Sequence, residues 1–181
     1  PAEASELPDH CIELAGRPQT PMSSVLSENQ LVMAPTELSA TAPLKMLAPR
    51  LGFRAATMPG FSAAMVPALR LDYTEIDRRV QWLKQILDLA IAVDFDFTID
   101  SSSRVELHLD LRHREAHASG GLFPMPGVAG NLPSGEAYIV PYEGEMEGDP
   151  TMSAGTLPIQ LGDEVVAYRI ESNRAVGVLS Q

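Results

Sequence analysis

Between Asn131 and Asp149 the chain carries five carboxylates, Glu136, Glu143, Glu145, Glu147 and Asp149, and no lysine or arginine. Acids without counter-charges among them form either a solvated face or a cation site, because carboxylate oxygens suit hard and borderline metals. Position separates the five. Glu143 to Asp149 are spaced by Gly144, Gly148 and followed by Pro150, which predicts a mobile surface loop. Glu136 stands instead between a turn and a strand. Pro133 fixes φ and Gly135 tolerates φ > 0, so Leu132 to Gly135 bends sharply. Ala137 to Val140 then reads as a short apolar strand, ended by Pro141, which has no N–H for a ladder. A carboxylate held this way can give an oxygen to a divalent metal.

Other groupings with a chemical look fail on spacing. His113-Arg-Glu-Ala-His117 has Arg114 where the zinc-protease helix needs a glutamate, and Ser119-Gly120-Gly121 leaves at most one helical turn. A strand end running into a loop fits it better. Asp9-His10-Cys11 consists of adjacent residues, which do not converge on one ion. Met58 to Pro67 has one glycine, Gly60, where a phosphate-cradling loop needs several at fixed offsets. Asp94, Asp96, Asp100, Glu106, His108 and Asp110 alternate with apolar residues and read as the wet face of a sheet. On the residues alone Glu136 is the carboxylate best placed to meet a metal, a solvated acidic loop being the alternative, and no catalytic residue is identified.

Gly130-Asn-Leu-Pro-Ser-Gly-Glu136, followed by an apolar strand and Pro141, resembles the Asn-aliphatic-Pro-x-x-Glu signature of the aminopeptidase T family of metallopeptidases. Similarity extends through residues 93–112 and the glycine-rich loop after them, and through 164–178; it is much weaker in residues 1–70. The resemblance implies that Glu136 is a ligand of a two-metal centre holding zinc, cobalt, manganese or iron, and that the substrate is the N-terminal end of a peptide. It also implies a fold that hosts an iron-dependent dioxygenase cleaving the ring of hydroxylated pyridines. That family's remaining ligands and catalytic groups lie in a C-terminal half with no counterpart here. The expectation is an N-terminal portion of a larger hydrolase, inactive by itself and compatible with a homodimer. An expectation of a different class is a non-catalytic scaffold or assembly domain presenting Pro59 to Pro67 to a partner.

The chain has 181 residues, 45% of them hydrophobic, enough for a sizeable core. A net charge of -11 argues against nucleic acid, whose phosphates are met by lysine and arginine. No apolar run approaches the roughly 20 residues of a membrane span. Cys11 is the single cysteine, and no signal peptide is visible, so a reduced, cytoplasmic protein is expected.

The elements around these residues predict an α/β fold: an N-terminal βαβ-type lobe with parallel strands, then a mostly antiparallel β region. Gln30 to Ala34 is an apolar strand closed by Pro35. A helix follows with Thr41 as N-cap, Pro43 in its first turn and Gly52 as left-handed cap, and Phe53 to Met58 is the next strand. Asp72-Tyr-Thr-Glu75 has the form of a capping box opening a helix whose stripe is Ile76, Val80, Leu83, Leu87 and Ala90, extended by Trp82. From Val93 the period changes to two, through Val93 to Ile99 and Val105 to Leu111, and again from Leu157 to Leu179. The expected division is an extended arm over 1–24, an α/β lobe over 25–92, and a mostly β lobe over 93–181 carrying the signature.

Overall fold

The computed structural model describes residues 6–12, 19–99 and 103–180, so Asp100 and parts of the expected arm lie outside the described residues. In chain order the elements are β1 (His10–Cys11), β2 (Thr20–Pro21), α1 (Met22–Glu28), β3 (Leu31–Thr36), α2 (Thr41–Leu51), β4 (Arg54–Pro59) and α3 (Tyr73–Leu89). There follow β5 (Ala92–Thr98), β6 (Arg104–Asp110), β7 (His117–Ser119), β8 (Ala129–Asn131), β9 (Glu136–Tyr138), β10 (Ala154–Leu161), β11 (Glu164–Glu171) and β12 (Arg174–Ser180). The architecture is α/β, with a parallel sheet and antiparallel sheets. The chain forms two compact units. One comprises Pro1–Gln81 and Ser119–Glu136, the other Trp82–Ala118 and Ala137–Gln181.

The first unit is built on the parallel sheet β3-β4-β8. Its central strand, β4, is buried from Ala55 to Met58, the continuous burial expected of a parallel strand covered on both faces. Helix α2 crosses from β3 to β4 and packs Leu44 and Ala48 into a core with Leu26, Phe53, Ala55 and Ala129. This is the expected βαβ unit. Gly52 ends α2 with φ 77° and donates its N–H to Ala48 O at 2.9 Å, as a left-handed cap requires. The start of α2 differs from expectation. Ala40 occupies the N-cap position and Thr41 lies inside the helix, with its N–H donated to Ser39 Oγ at 3.3 Å. β3 also runs on through Pro35 to Thr36, which an edge strand tolerates because one side of it has no ladder to satisfy.

Asp72 caps α3 as predicted, its Oδ1 accepting from Thr74 N at 3.0 Å and Glu75 N at 3.3 Å. The return half of the capping box is absent. Glu75 turns to Arg78 and Arg79, at 2.6 and 2.7 Å, which lower its pKa to about 2. Val80 is buried, but Leu83 and Trp82 are exposed, so the expected apolar stripe is only partly covered.

In the second unit the antiparallel order is β12-β11-β10-β6-β5. The hairpin β5-β6 keeps register from Ala92↔Asp110 to Thr98↔Arg104. β10 and β11 pair from Ala154↔Glu171 to Leu161↔Glu164, and Ser172 (φ 48°) and Asn173 (φ 61°) turn β11 into β12. β10 joins β6 at Ala154↔His108 and Gly155↔Leu107. A Cβ on Gly155 would lie 2.4 Å from Glu106 O, so a side chain there would prevent this approach. Among the described residues no helix is long and apolar enough to cross a membrane.

Candidate functional site

The signature sits at the carboxyl edge of the parallel sheet, where ligands of open α/β sheets bind. β8 ends at Asn131, whose register partner is Thr57 of β4. Thr57 is fully buried, and its backbone oxygen accepts from Leu132 N at 2.9 Å. Its hydroxyl donates to Asn131 Oδ1 at 2.8 Å or to Gly130 O at 3.2 Å. From the first turn of α2, Thr41 Oγ1 reaches the same Oδ1 at 2.6 Å and Thr57 Oγ1 at 2.7 Å. Three elements thus meet at one carboxamide.

Beyond Asn131 the chain turns through a cis Leu132–Pro133 peptide. Ser134 Oγ fixes the far side of the turn, donating to Ser119 O at 2.7 Å and lying 2.7 Å from Ser119 Oγ. Gly135 has φ 146° and packs close to Ile76, whose Cγ2 would be 3.2 Å from an added Cβ. Asn131, Pro133, Ser134, Gly135 and Glu136 line an open depression of about 340 Å³. Glu136 is exposed at the start of β9, and among the described residues its carboxylate has no hydrogen-bond or ion-pair partner. The strand expected over Ala137 to Val140 is shorter and earlier, Glu136–Tyr138.

These residues do not make a metal centre by themselves. Among the described residues no group of three or more histidines, cysteines, aspartates or glutamates is placed to hold an ion. At the depression the Ser134 hydroxyl is given to Ser119, and the Asn131 oxygen to the two threonines. Glu136 offers one free carboxylate.

The rest of the acidic segment corrects the expected mobile loop. Its counter-charges come from the end of β6. Arg112 binds the fully buried Asp110 through Nη2, 2.7 Å from Oδ2, and reaches Asp149 with Nη1 at 2.9 Å and Pro150 O with Nη2 at 3.1 Å. His113 Nε2 lies 2.8 Å from the other Asp149 oxygen. Arg114 pairs with Glu145 and donates to Pro141 O. The segment folds around buried Tyr142, whose hydroxyl donates to Asp149 O at 2.7 Å and accepts from Met146 N at 3.0 Å. The guanidinium carbons of Arg112 and Arg114 lie 5.7 and 5.8 Å from the Tyr142 ring centroid, within cation–π range.

The charges respond accordingly. Hydrogen bonding to Arg112 holds the Asp110 carboxyl well below the usual range and raises Arg112 in turn. His113, then Arg112, lowers Asp149. Glu145 is lowered first by its own backbone N–H and then by Arg114. Arginines therefore supply the cations that this segment attracts.

The remaining candidates are dispersed. His117 stacks at a tilt on Tyr138, with centroids 5.1 Å apart, while His113 faces Asp149, so the two histidines serve different partners. Cys11 Sγ donates to Thr20 O between β1 and β2. On the β5-β6 face His108 Nδ1 lies 2.7 Å from Asp94 Oδ1. Met58 to Pro67 leaves β4 and enters a short 3-10 turn over Ala63–Met65, with Phe61 exposed.

No family model matches the chain, and no curated protein matches it significantly. Among solved structures, 2,5-dihydroxypyridine dioxygenase from Pseudomonas putida KT2440 is similar, with a TM-score of 0.62 over 86% of this chain and 19% sequence identity. The chain spans 44% of that protein. At this identity the likeness is one of fold: the α/β arrangement described above is shared with a dioxygenase.

Proposed function

We propose that this chain supplies one wall of the active site of a metal-dependent enzyme, with Glu136 as the carboxylate it contributes and the other ligands coming from outside the described residues. One observation carries this reading. Glu136 is without a partner among the described residues, yet it follows a turn fixed at both ends, at the carboxyl edge of a parallel sheet. The fold likeness supports dioxygenase chemistry on a hydroxylated pyridine, and the sequence resemblance adds iron as the metal for such a reaction. A second reading, removal of N-terminal amino acids from peptides, is favoured by the sequence Asn131-Leu-Pro-Ser-Gly-Glu136 itself. A single carboxylate does not complete either centre, so no catalytic step is assigned to it.

Mn²⁺ added to the isotopically labelled chain tests the reading by paramagnetic broadening. Broadening is expected to begin at Gly135 to Ala137 and to vanish in Glu136→Gln. Broadening that begins at Asp94, Asp96 and Glu106 would assign the ion to the acidic strand face and end the proposal. Oxygen uptake with 2,5-dihydroxypyridine and Fe²⁺, and amino-acid release from aminoacyl anilides, should both stay at background in these 181 residues.

A further inference from the structure

We infer that Thr41 and Thr57 are positioning residues for Glu136: together they fix the Asn131 carboxamide, and the turn that presents the carboxylate starts from that carboxamide. The functional meaning rests on the proposal for Glu136 above, whereas the positioning can be measured without any metal.

The argument begins with what each hydroxyl forgoes. Thr57 is fully buried in the central strand, where valine would have nearly the same shape with no polar group to desolvate. A buried hydroxyl is tolerated when it is hydrogen-bonded, and here its partners are Asn131 Oδ1 and Gly130 O, both in β8. Thr41 is the first residue of α2, one place beyond the N-cap position from which a hydroxyl can serve free N–H groups. It does not cap. The helix starts without a side-chain cap, and Thr41 Oγ1 turns to Asn131 and Thr57 instead. Both threonines thus direct their one polar atom to the same carboxamide.

Their protons can be counted. The two threonine hydroxyl hydrogens serve contacts at 2.6, 2.7, 2.8 and 3.2 Å, and Ser39 Oγ donates to Thr41 Oγ1 at 3.0 Å, so the threonine protons can be shared in more than one way while Asn131 keeps a donor. Loss of one hydroxyl leaves the other in reach. Loss of both leaves the carboxamide oxygen with neither threonine donor, and the turn is then held on that side by backbone alone, through the pairing of β8 with β4 and the Leu132 N to Thr57 O bond. Ser134 still holds the far end through Ser119. Between these two points of attachment lie Leu132 and Pro133, and Glu136 follows directly after Gly135. The polar side chains here fix the backbone and leave the carboxylate free, the arrangement needed to offer it to an external cation.

The test compares Thr41→Val, Thr57→Val, the double variant, and Thr41→Ser with Thr57→Ser, using backbone relaxation at Ser134 to Glu136. Wild type, single variants and serine variants should be rigid, with order parameters of about 0.85, and the double valine variant should fall below about 0.6 while the rest of the sheet keeps its spectrum. An unchanged order parameter in the folded double variant overturns the inference, as does failure of serine to match threonine. If the double variant does not fold, Thr41→Val combined with Asn131→Ala gives the same reading with Thr57 in place. Mn²⁺ broadening, measured in parallel, separates the two ideas: no broadening at Glu136 in wild type ends the metal proposal, while relaxation alone decides the positioning.

Discussion

Arg112 closes its guanidinium on the carboxylate of Asp110, two residues earlier in the chain, with Nε 3.0 and 3.2 Å from the two oxygens and Nη2 2.7 Å from Oδ2. Asp110 is fully buried and also accepts from Met152 N and Arg112 N, so its charge is met from several sides. Ser153 joins the same knot by accepting from Asp110 N at 2.9 Å. The end of β6 is thereby tied to the segment leading into β10.

Removing the buried carboxylate should be costly. Asp110→Ala leaves the N–H groups of Met152 and Arg112 without their acceptor and frees Arg112 from its main partner. A loss of about 3 kcal/mol is expected, read from urea denaturation. A change within about 0.5 kcal/mol, typical of an ordinary surface site, would mean that water replaces these bonds freely.

The same knot sets a pH dependence. Asp110 and Asp149 have carboxyls lowered in the folded state, Asp110 by Arg112 and Asp149 first by His113 and then by Arg112. A lowered folded pKa stabilises above the unfolded value, near 3.9, and that stabilisation is lost as pH falls through the folded value. Stability should therefore hold through neutral pH and fall steeply below about pH 4. Arg112→Met should flatten this acid limb. Identical acid limbs in the two proteins, compared by denaturation midpoint from pH 2 to 7, would remove Arg112 as its cause.

Much of this was legible in the sequence because periodicity reports repeated burial. The alternation from Val93 to Leu111 marked β5 and β6, and the β3-α2-β4 unit could be read from Pro43, Gly52 and two apolar runs. What stayed hidden depends on contacts between distant residues. β8 is three residues long, too short to have a period, and it is the pairing of Ala129–Asn131 with β4 that places the signature in the first unit. Arg112 and Arg114 lie outside the acidic segment in sequence, so a count of charges within that segment could not find them. Thr41 looked like the N-cap because threonine is favoured just before a helix; the helix starts one residue earlier than expected, and Thr57 and Asn131 take its hydroxyl. Glu136 and its turn, by contrast, were readable from Pro133 and Gly135 alone.

Gly155 should tolerate no side chain. Its φ of 137° suits glycine, and an added Cβ would meet Glu106 O at 2.4 Å and Leu107 Cα at 2.8 Å. Backbone cannot move aside as a flexible side chain can. Gly155→Ala is expected to cost roughly 2–3 kcal/mol and to disturb the amides of Glu106 to His108. Wild-type stability with unshifted amides there would show that β10 can lie against β6 in another way.

The acidic segment gives the last prediction, because its glutamates now differ on two independent scales. Glu136 has no partner among the described residues, so Glu136→Gln should leave stability nearly unchanged while abolishing Mn²⁺ broadening at Gly135 to Ala137. Glu145 is paired with Arg114, which also lies over Tyr142, so Glu145→Gln should loosen the folded segment while leaving the ion untouched. Amide exchange between Glu143 and Asp149 would read that loosening. Glu147 is exposed, and Glu147→Gln should be silent in both measurements. A solvated acidic surface would instead bind the ion through summed charge, and each substitution would then weaken broadening by a similar small amount. Equal losses across the three variants would refute Glu136 as a distinct ligand, and loss confined to Glu136→Gln, with unchanged exchange, would identify it as the residue that holds the ion.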